Sequence, residues 1–234
     1  MNNSVQQLSN TRFHAAVSRR LAPRAARKSP LAAVLAAAIL LAAAASASAT
    51  TKGLNQIVTP DVQPVGQLSL SYQQQDPFIG NPSQVQYELG FTPRFEVALL
   101  AGLDPGAQVL ETELGVIQKA PYLLSTGFLN WSTRGSAPQP YLEGGYYFKR
   151  HELMAGAIRV GNQTETILGY GYQAFPRLLL QLDYQSGNEN SATAGFNYSI
   201  TPALQLNPAI YISNSSPHAV HGYAVLTWNV QLFK

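Results

Sequence analysis

The stretch PRLLLQLDYQSGNENSATAGFNYSI (residues 176–200) decides the fold. Leu178, Leu180, Leu182 and Tyr184 alternate with Gln181, Asp183 and Gln185. After the polar break SGNEN (186–190), Ala194, Phe196, Tyr198 and Ile200 alternate with Thr193, Gly195, Asn197 and Ser199. A two-residue period puts one set on each face of an extended chain, so this is a hairpin of two strands with one apolar and one polar face.

The same unit repeats outward in both directions. Leu68, Leu70 and Tyr72 oppose Gln67, Ser69, Ser71 and Gln73; Val85, Tyr87, Leu89 and Phe91 oppose Gln84, Gln86, Glu88 and Gly90. Phe95, Val97, Leu99, Ala101 and Leu103 oppose Glu96, Ala98 and Gly102. Tight turns fall at Thr92-Pro93-Arg94, Lys119-Ala120-Pro121, Lys149-Arg150-His151, Phe175-Pro176-Arg177 and Thr201-Pro202-Ala203, with looser polar connections between them. One tight turn, one loose loop and two strands make a hairpin repeat, hence an up-and-down meander. Hairpin counting predicts an all-β, closed, up-and-down antiparallel transmembrane β-barrel of about 12 strands, with 10 to 14 compatible with the turn signals. Only segments 122–132 and 151–160 leave the facing open.

Alternation alone does not say whether the apolar face meets a core or lipid. The polar face decides it. Charged residues make up 12% of the chain, about half of the ~25% usual in soluble domains. Gln, Ser, Asn, Thr and Gly stand where a water-facing surface would carry Lys and Glu, as suits a wet lumen. A barrel closed on itself satisfies every backbone group within lipid.

The amino terminus predicts export. Six of the 15 basic residues precede residue 30, and the apolar run LAAVLAAAILLAAAA (31–45) and Ala47-Ser48-Ala49 follow. This is the layout of a cleaved signal peptide over 1–49, with a run too short to span a bilayer with ease. Residues 50–63 then read as a periplasmic segment and 64–234 as the barrel. Removing the leader leaves 9 basic residues against all 12 acidic ones, a net charge of −3, so the basic balance gives no case for nucleic acid. With no cysteine, disulfides, thiolate metal sites and a cysteine nucleophile are excluded.

An even strand number puts both termini and the tight turns on the periplasmic side, where Arg94, Lys119, Lys149, Arg150 and Arg177 ring the rim. The expected pore-lining residues are Glu88, Glu96, Glu111, Glu113, Glu143, Arg159, Asp183, Tyr141, Tyr147 and Tyr211. Two readings of the glutamates stay open: a cation-attracting wall, or braces paired with arginines such as Arg159. Inward Gly90, Gly102, Gly115, Gly145, Gly169, Gly171 and Gly195 keep the wall thin, and connections of about ten residues or fewer offer little material for a plug.

No catalytic, metal or cofactor site is expected. The mature chain holds only His151, His218 and His221, and neither a Gly-rich phosphate loop nor a calcium loop. The expected function is a passive channel for small polar or aromatic solutes, weakly cation-selective. The alternatives are a structural or adhesive barrel with a closed lumen, and a lipid hydrolase. Expected partners are outer-membrane lipid and lipopolysaccharide, the barrel-assembly machinery and small solutes.

GFTPRFEVALLAG (90–102), the run from Leu168 to Tyr211 and the closing YAVLTWNVQLF (223–233) also resemble the small Gram-negative outer-membrane barrels grouped as meta-pathway phenol-degradation or transporter-like proteins. The resemblance covers most of the mature chain and implies an outer-membrane barrel. The last strand is similar to the assembly signal of such barrels, although Phe233 is penultimate and Lys234 follows it.

Overall fold

The computed structural model describes residues 53–103 and 106–234. The signal peptide expected over 1–49 lies outside them. Twelve strands follow one another: β1 (Gln67–Gln75), β2 (Ser83–Thr92), β3 (Phe95–Gly102), β4 (Gln108–Lys119), β5 (Tyr122–Ser132) and β6 (Gln139–Phe148). The second half holds β7 (His151–Val160), β8 (Gln163–Phe175), β9 (Leu178–Gln185), β10 (Ser191–Ser199), β11 (Leu204–Ser213) and β12 (Val220–Gln231). Each pairs antiparallel with its sequence neighbours, and β1 pairs with β12 from Gln67↔Gln231 to Gln75↔Tyr223, closing the barrel. No edge strand remains, so every ladder is satisfied inside the sheet.

The two faces are inverted relative to a water-soluble domain. Leu99, Leu114, Leu142, Leu153, Leu168, Leu182, Ile210 and Leu226 stand exposed on the outside, joined toward the strand ends by Phe91, Phe95, Tyr122, Phe148, Phe175 and Trp131. Gln67, Ser69, Glu88, Glu96, Glu113, Glu143, Gln181, Asn207, Thr227 and Asn229 are buried inside. An apolar belt on this scale, far beyond the few hundred Å² that a soluble monomer exposes, needs lipid around it.

The two open segments resolve by register. In β5, Ser125 lies opposite the buried Glu143 and Gly127 opposite Tyr141, so these point inward with Leu123 and Leu129, while Leu124 and Phe128 point out. A bulge at Asn130, with φ of 59°, adds one residue against β4 and resets the phase before Trp131. This is why the sequence there keeps no clean alternation. In β7, Met154 and Ile158 are buried within the barrel, and Leu153, Ala155, Ala157 and Arg159 face outward. Both faces of β7 are apolar, which erased the contrast that reveals facing.

Residues 53–63, the described part of the segment 50–63 expected to be periplasmic, pass inside the barrel together with residues 64 and 65. Gly66 is the pivot: its φ is +72°, and a Cβ there would lie 2.0 Å from the Phe233 carbonyl oxygen, which leaves only glycine. The Gln67 N–H donates to the Pro64 carbonyl at 3.0 Å across this turn, and the Gly66 N–H donates to Gly90 O at 2.8 Å. The chain preceding β1 therefore folds back into the lumen as a strap.

Candidate functional site in the barrel lumen

The strap climbs the interior along a track of inward glycines. At the turn-side rim the Gln63 N–H donates to Glu96, and its side-chain amide donates to Ser69. Gln118 donates to Pro60 O at 2.7 Å and accepts from the Val62 N–H at 3.2 Å, and the Tyr147 hydroxyl donates to Asp61 at 3.2 Å. Higher up, Leu54 and Ile57 pack into a buried cluster with Tyr141, Met154, Ile158 and Ile167.

Asn55 is the most heavily tied residue of the strap. Its N–H donates to Asp183 Oδ2 at 2.7 Å, its amide donates to Thr193 at 3.0 Å, and its carbonyl accepts from the Tyr211 hydroxyl. Asn207 donates to Asn55 Oδ1 at 3.2 Å and to Gln181 at 2.9 Å. The polar atoms that a wet lumen would leave to water are here held by chain.

Close approach explains several inward glycines. A Cβ at Gly169 would lie 2.6 Å from Leu54 Cδ1 and 2.8 Å from Ile57 Cδ1, one at Gly195 would lie 2.4 Å from Asn55 Oδ1, and one at Gly145 would lie 2.7 Å from Pro60 Cγ. Read from sequence as thinning the wall, they are cut-outs that seat the strap. The expectation that connections of about ten residues offer little material for a plug concerned the loops; the chain that fills the lumen comes from the segment before the barrel.

Residues 54–57 of the strap lean on β6 to β11, while residues 60–63 also reach β1, β3 and β4; space remains beside the strap on the wall opposite residues 54–57. A cavity of about 50 Å³, room for a few waters, is lined by Gln86, Glu88, Glu96, Glu111, Glu113 and Tyr141 together with Val58 of the strap. A second of about 30 Å³ is lined by Ser69, Ser71, Gln86, Glu88, Tyr223 and Thr227. Gln86 and Glu88 line both, so the two cavities are neighbours; together they are called the crescent, with lining mainly from β12 and β1 to β4 and with Gly53, Leu54 and Val58 of the strap on its other side.

Most of the expected pore-lining set points inward, in two groups. Glu88, Glu96, Glu111, Glu113 and Tyr141 border the crescent. Glu143 is fully buried beside Ser125, and Asp183, Tyr147 and Tyr211 hold the strap. Arg159 is the exception: it is exposed on the outer face at the loop end of β7, where a long side chain can carry its charge into water, and it lines no lumen. Among the described residues every Lys and Arg is exposed, as are the rim residues Arg94, Lys119, Lys149, Arg150 and Arg177. The sequence reading missed Asn55, Ile57, Thr193 and Asn207. The available signal was Met154, Ile158 and Ile167, an inward apolar patch that demands an apolar partner.

Among the described residues the three histidines are each engaged by a neighbouring side chain or carbonyl. His151 Nδ1 lies 2.9 Å from the Tyr170 hydroxyl, and His218 Nδ1 lies 2.9 Å from the Ser213 carbonyl. His221, within β12 rather than in the loop, lies 3.4 Å from Asp76 and stacks on Phe78 at 4.2 Å, pinning the β1–β2 loop across the barrel seam. Asp76 is held below its usual carboxylate range by the Phe78 N–H and then by His221.

The chain is similar to the solved structure "KdgM porin in complex with disordered oligogalacturonate", with a TM-score of 0.50 at 10% identity, covering 71% of this chain and 99% of that one. The fold is that of a porin-type barrel. A structure titled "Unveiling the Mechanism Behind the in-meso Crystallization of Membrane Proteins" gives a TM-score of 0.50 at 13% identity, covering 72% and 85% of the two chains. The NanC porin follows at a TM-score of 0.49 and 8% identity, covering 71% and 100%. No family model and no curated protein matches the chain.

Proposed function

We propose that the mature chain is a passive outer-membrane channel for small polar or aromatic solutes, with weak preference for cations over anions. The carrying observation is the crescent between β12 and β4, whose ionisable lining is Glu88, Glu96, Glu111 and Glu113. Carboxylates along one wall raise local cation concentration and repel anions, and the barrel interior screens them less than bulk salt would. The exposed apolar belt supports a lipid surround, and exposed Phe233 at the end of the last strand is the expected contact for the assembly machinery. Lipopolysaccharide is expected around the loop end.

The porin of similar fold is recorded with oligogalacturonate, whose uronic acid units make it a polyanion. An acidic crescent is the wrong sign for such a ligand, so the reading here favours neutral or cationic solutes. Reversal potentials of the refolded mature protein in a salt gradient test it: cation preference is expected, and anion preference would refute the solute class.

A second reading, a structural barrel with a closed lumen, draws on the strap, which fills much of the interior. Absence of any conductance at any voltage would favour it.

A further inference from the structure

The geometry points to a further device, which rests on the channel reading: residues 53–65 are a displaceable strap that sets the conductance of the pore by seating in and leaving the lumen. The first support is that the strap is not part of the sheet. Its link to the strand ladders is the single bridge Val65↔Gly90, and the barrel closes through β1 and β12 without it. Withdrawal of residues 53–64 therefore breaks no strand pairing, and the barrel remains a barrel.

The second support is how the strap is held. Its hold is a set of side-chain contacts: Gln63 with Glu96 and Ser69, Asp61 with Tyr147, Asn55 with Asp183, Thr193, Asn207 and Tyr211. Water can replace these bonds when it enters a polar lumen. The closing force is the seating of Leu54 and Ile57 on Met154, Ile158 and Ile167, an apolar patch that would otherwise face a wet interior. Two states follow: a seated strap with only the crescent free, and a withdrawn strap with the whole lumen hydrated.

The third support is the hinge. Gly66, at φ +72°, is followed directly by β1, and the Pro64 carbonyl is bonded to the Gln67 N–H, so the chain reverses there within four residues. Gly66 itself stays fixed, its N–H on Gly90 O and its carbonyl on the Leu232 N–H, both at 2.8 Å, so the strap swings toward the turn-side mouth on the residues that precede this turn and β1 keeps its place.

Two variants of the mature chain test this in planar bilayers. Deleting residues 50–63 is expected to give a several-fold larger unit conductance than the intact chain. Because the chain has no cysteine, Pro60→Cys with Gly145→Cys gives one defined pair. A Cβ at 145 lies 2.7 Å from Pro60 Cγ, which puts the two positions within disulfide reach. Oxidised, the pair is expected to hold the small conductance level; reduced, it is expected to show excursions to the level of the deletion. Equal conductance of intact and deleted chains overturns the strap while leaving the channel standing. Identical traces from the oxidised and reduced pair overturn its displacement, and decide the matter if the deletion fails to refold. Silence from every form, the deletion included, overturns both the strap and the channel.

Discussion

Asp183 Oδ2 accepts the backbone N–H of Asn55 at 2.7 Å, so a carboxylate of the barrel wall is committed to holding the chain's own amino-terminal segment. The Gln56 N–H reaches the same oxygen at 3.2 Å. Read from sequence as one more acidic residue along the pore, Asp183 is an anchor, and the acidic residues that meet open space lie across the lumen on β2, β3 and β4.

Asp183→Ala removes the acceptor for the buried Asn55 N–H and the partly buried Gln56 N–H, at a cost of about 1–3 kcal/mol to strap seating. The open-level occupancy in single-channel records is expected to rise by roughly tenfold, with the heat-dependent gel shift of the folded barrel retained. Unchanged occupancy would show that this anchor is dispensable.

Gly169→Leu places a side chain where Leu54 and Ile57 sit, within 2.8 Å of both. Overpacking of this kind costs about 1–3 kcal/mol, and the strap is the element that can leave. Amide exchange of residues 54–60 is expected to accelerate in the variant while strand amides stay protected. Protection of the strap equal to the parent's would mean that it repacks in place.

Leu182 is 53% exposed at mid-strand, whereas Gln86 faces the crescent. Leu182→Arg is expected to cost roughly 2–4 kcal/mol in a refolding titration in lipid. Gln86→Arg should be tolerated, and equal costs would contradict the assigned facing. Gln181, an ordinary lumen position on the sequence pattern alone, is a poor control because it is 2% exposed and bonded to Asn207.

The barrel itself was legible because lipid and lumen impose opposite chemistry on alternate residues. The two strands within Leu178 to Ile200 carry that contrast on either side of the polar break 186–190, and the observed pairing of Ala194 with Leu182 and Thr193 with Asp183 follows from it. Legibility failed where the contrast failed. In β7 the lumen face is apolar at Met154 and Ile158 because a strap covers it, and in β5 the bulge at Asn130 shifts the phase. The strap has no period of its own: GLNQIVTPDVQPV (53–65) is irregular, and its partners are scattered over most of the strands of the barrel. Arg159 was drawn inward by the expectation that barrel arginines brace glutamates, but the two-residue period of β7 sends it out.

The β1–β2 loop gives a pH prediction. Asp76 lies beyond the end of β1, and its carboxyl is depressed below 3.8 by the Phe78 N–H and by His221. Its contribution is therefore fully present above 3.8 and is lost as pH falls through the lower folded value. The Phe78 amide resonance should shift with a midpoint below 3.8, and this step should vanish in Asp76→Asn. A step above the ordinary carboxylate range would contradict the assignment.

Glu111 and Glu113 both line the crescent. Converting both to Gln is expected to lower the cation over anion permeability ratio by a factor of about two to three, as loss of two fixed charges in a narrow, weakly screened path requires. An unchanged ratio would mean that these carboxylates brace the wall.

The most direct test of the whole account is the single-channel record of the refolded mature chain, residues 50–234, in a planar bilayer under a salt gradient. A narrow, cation-preferring channel with small discrete steps and rarer excursions to a larger level is the expected record. A chain that inserts, shows the heat-dependent gel shift and yet passes no current at any voltage, or one whose reversal potential favours anions, would contradict it.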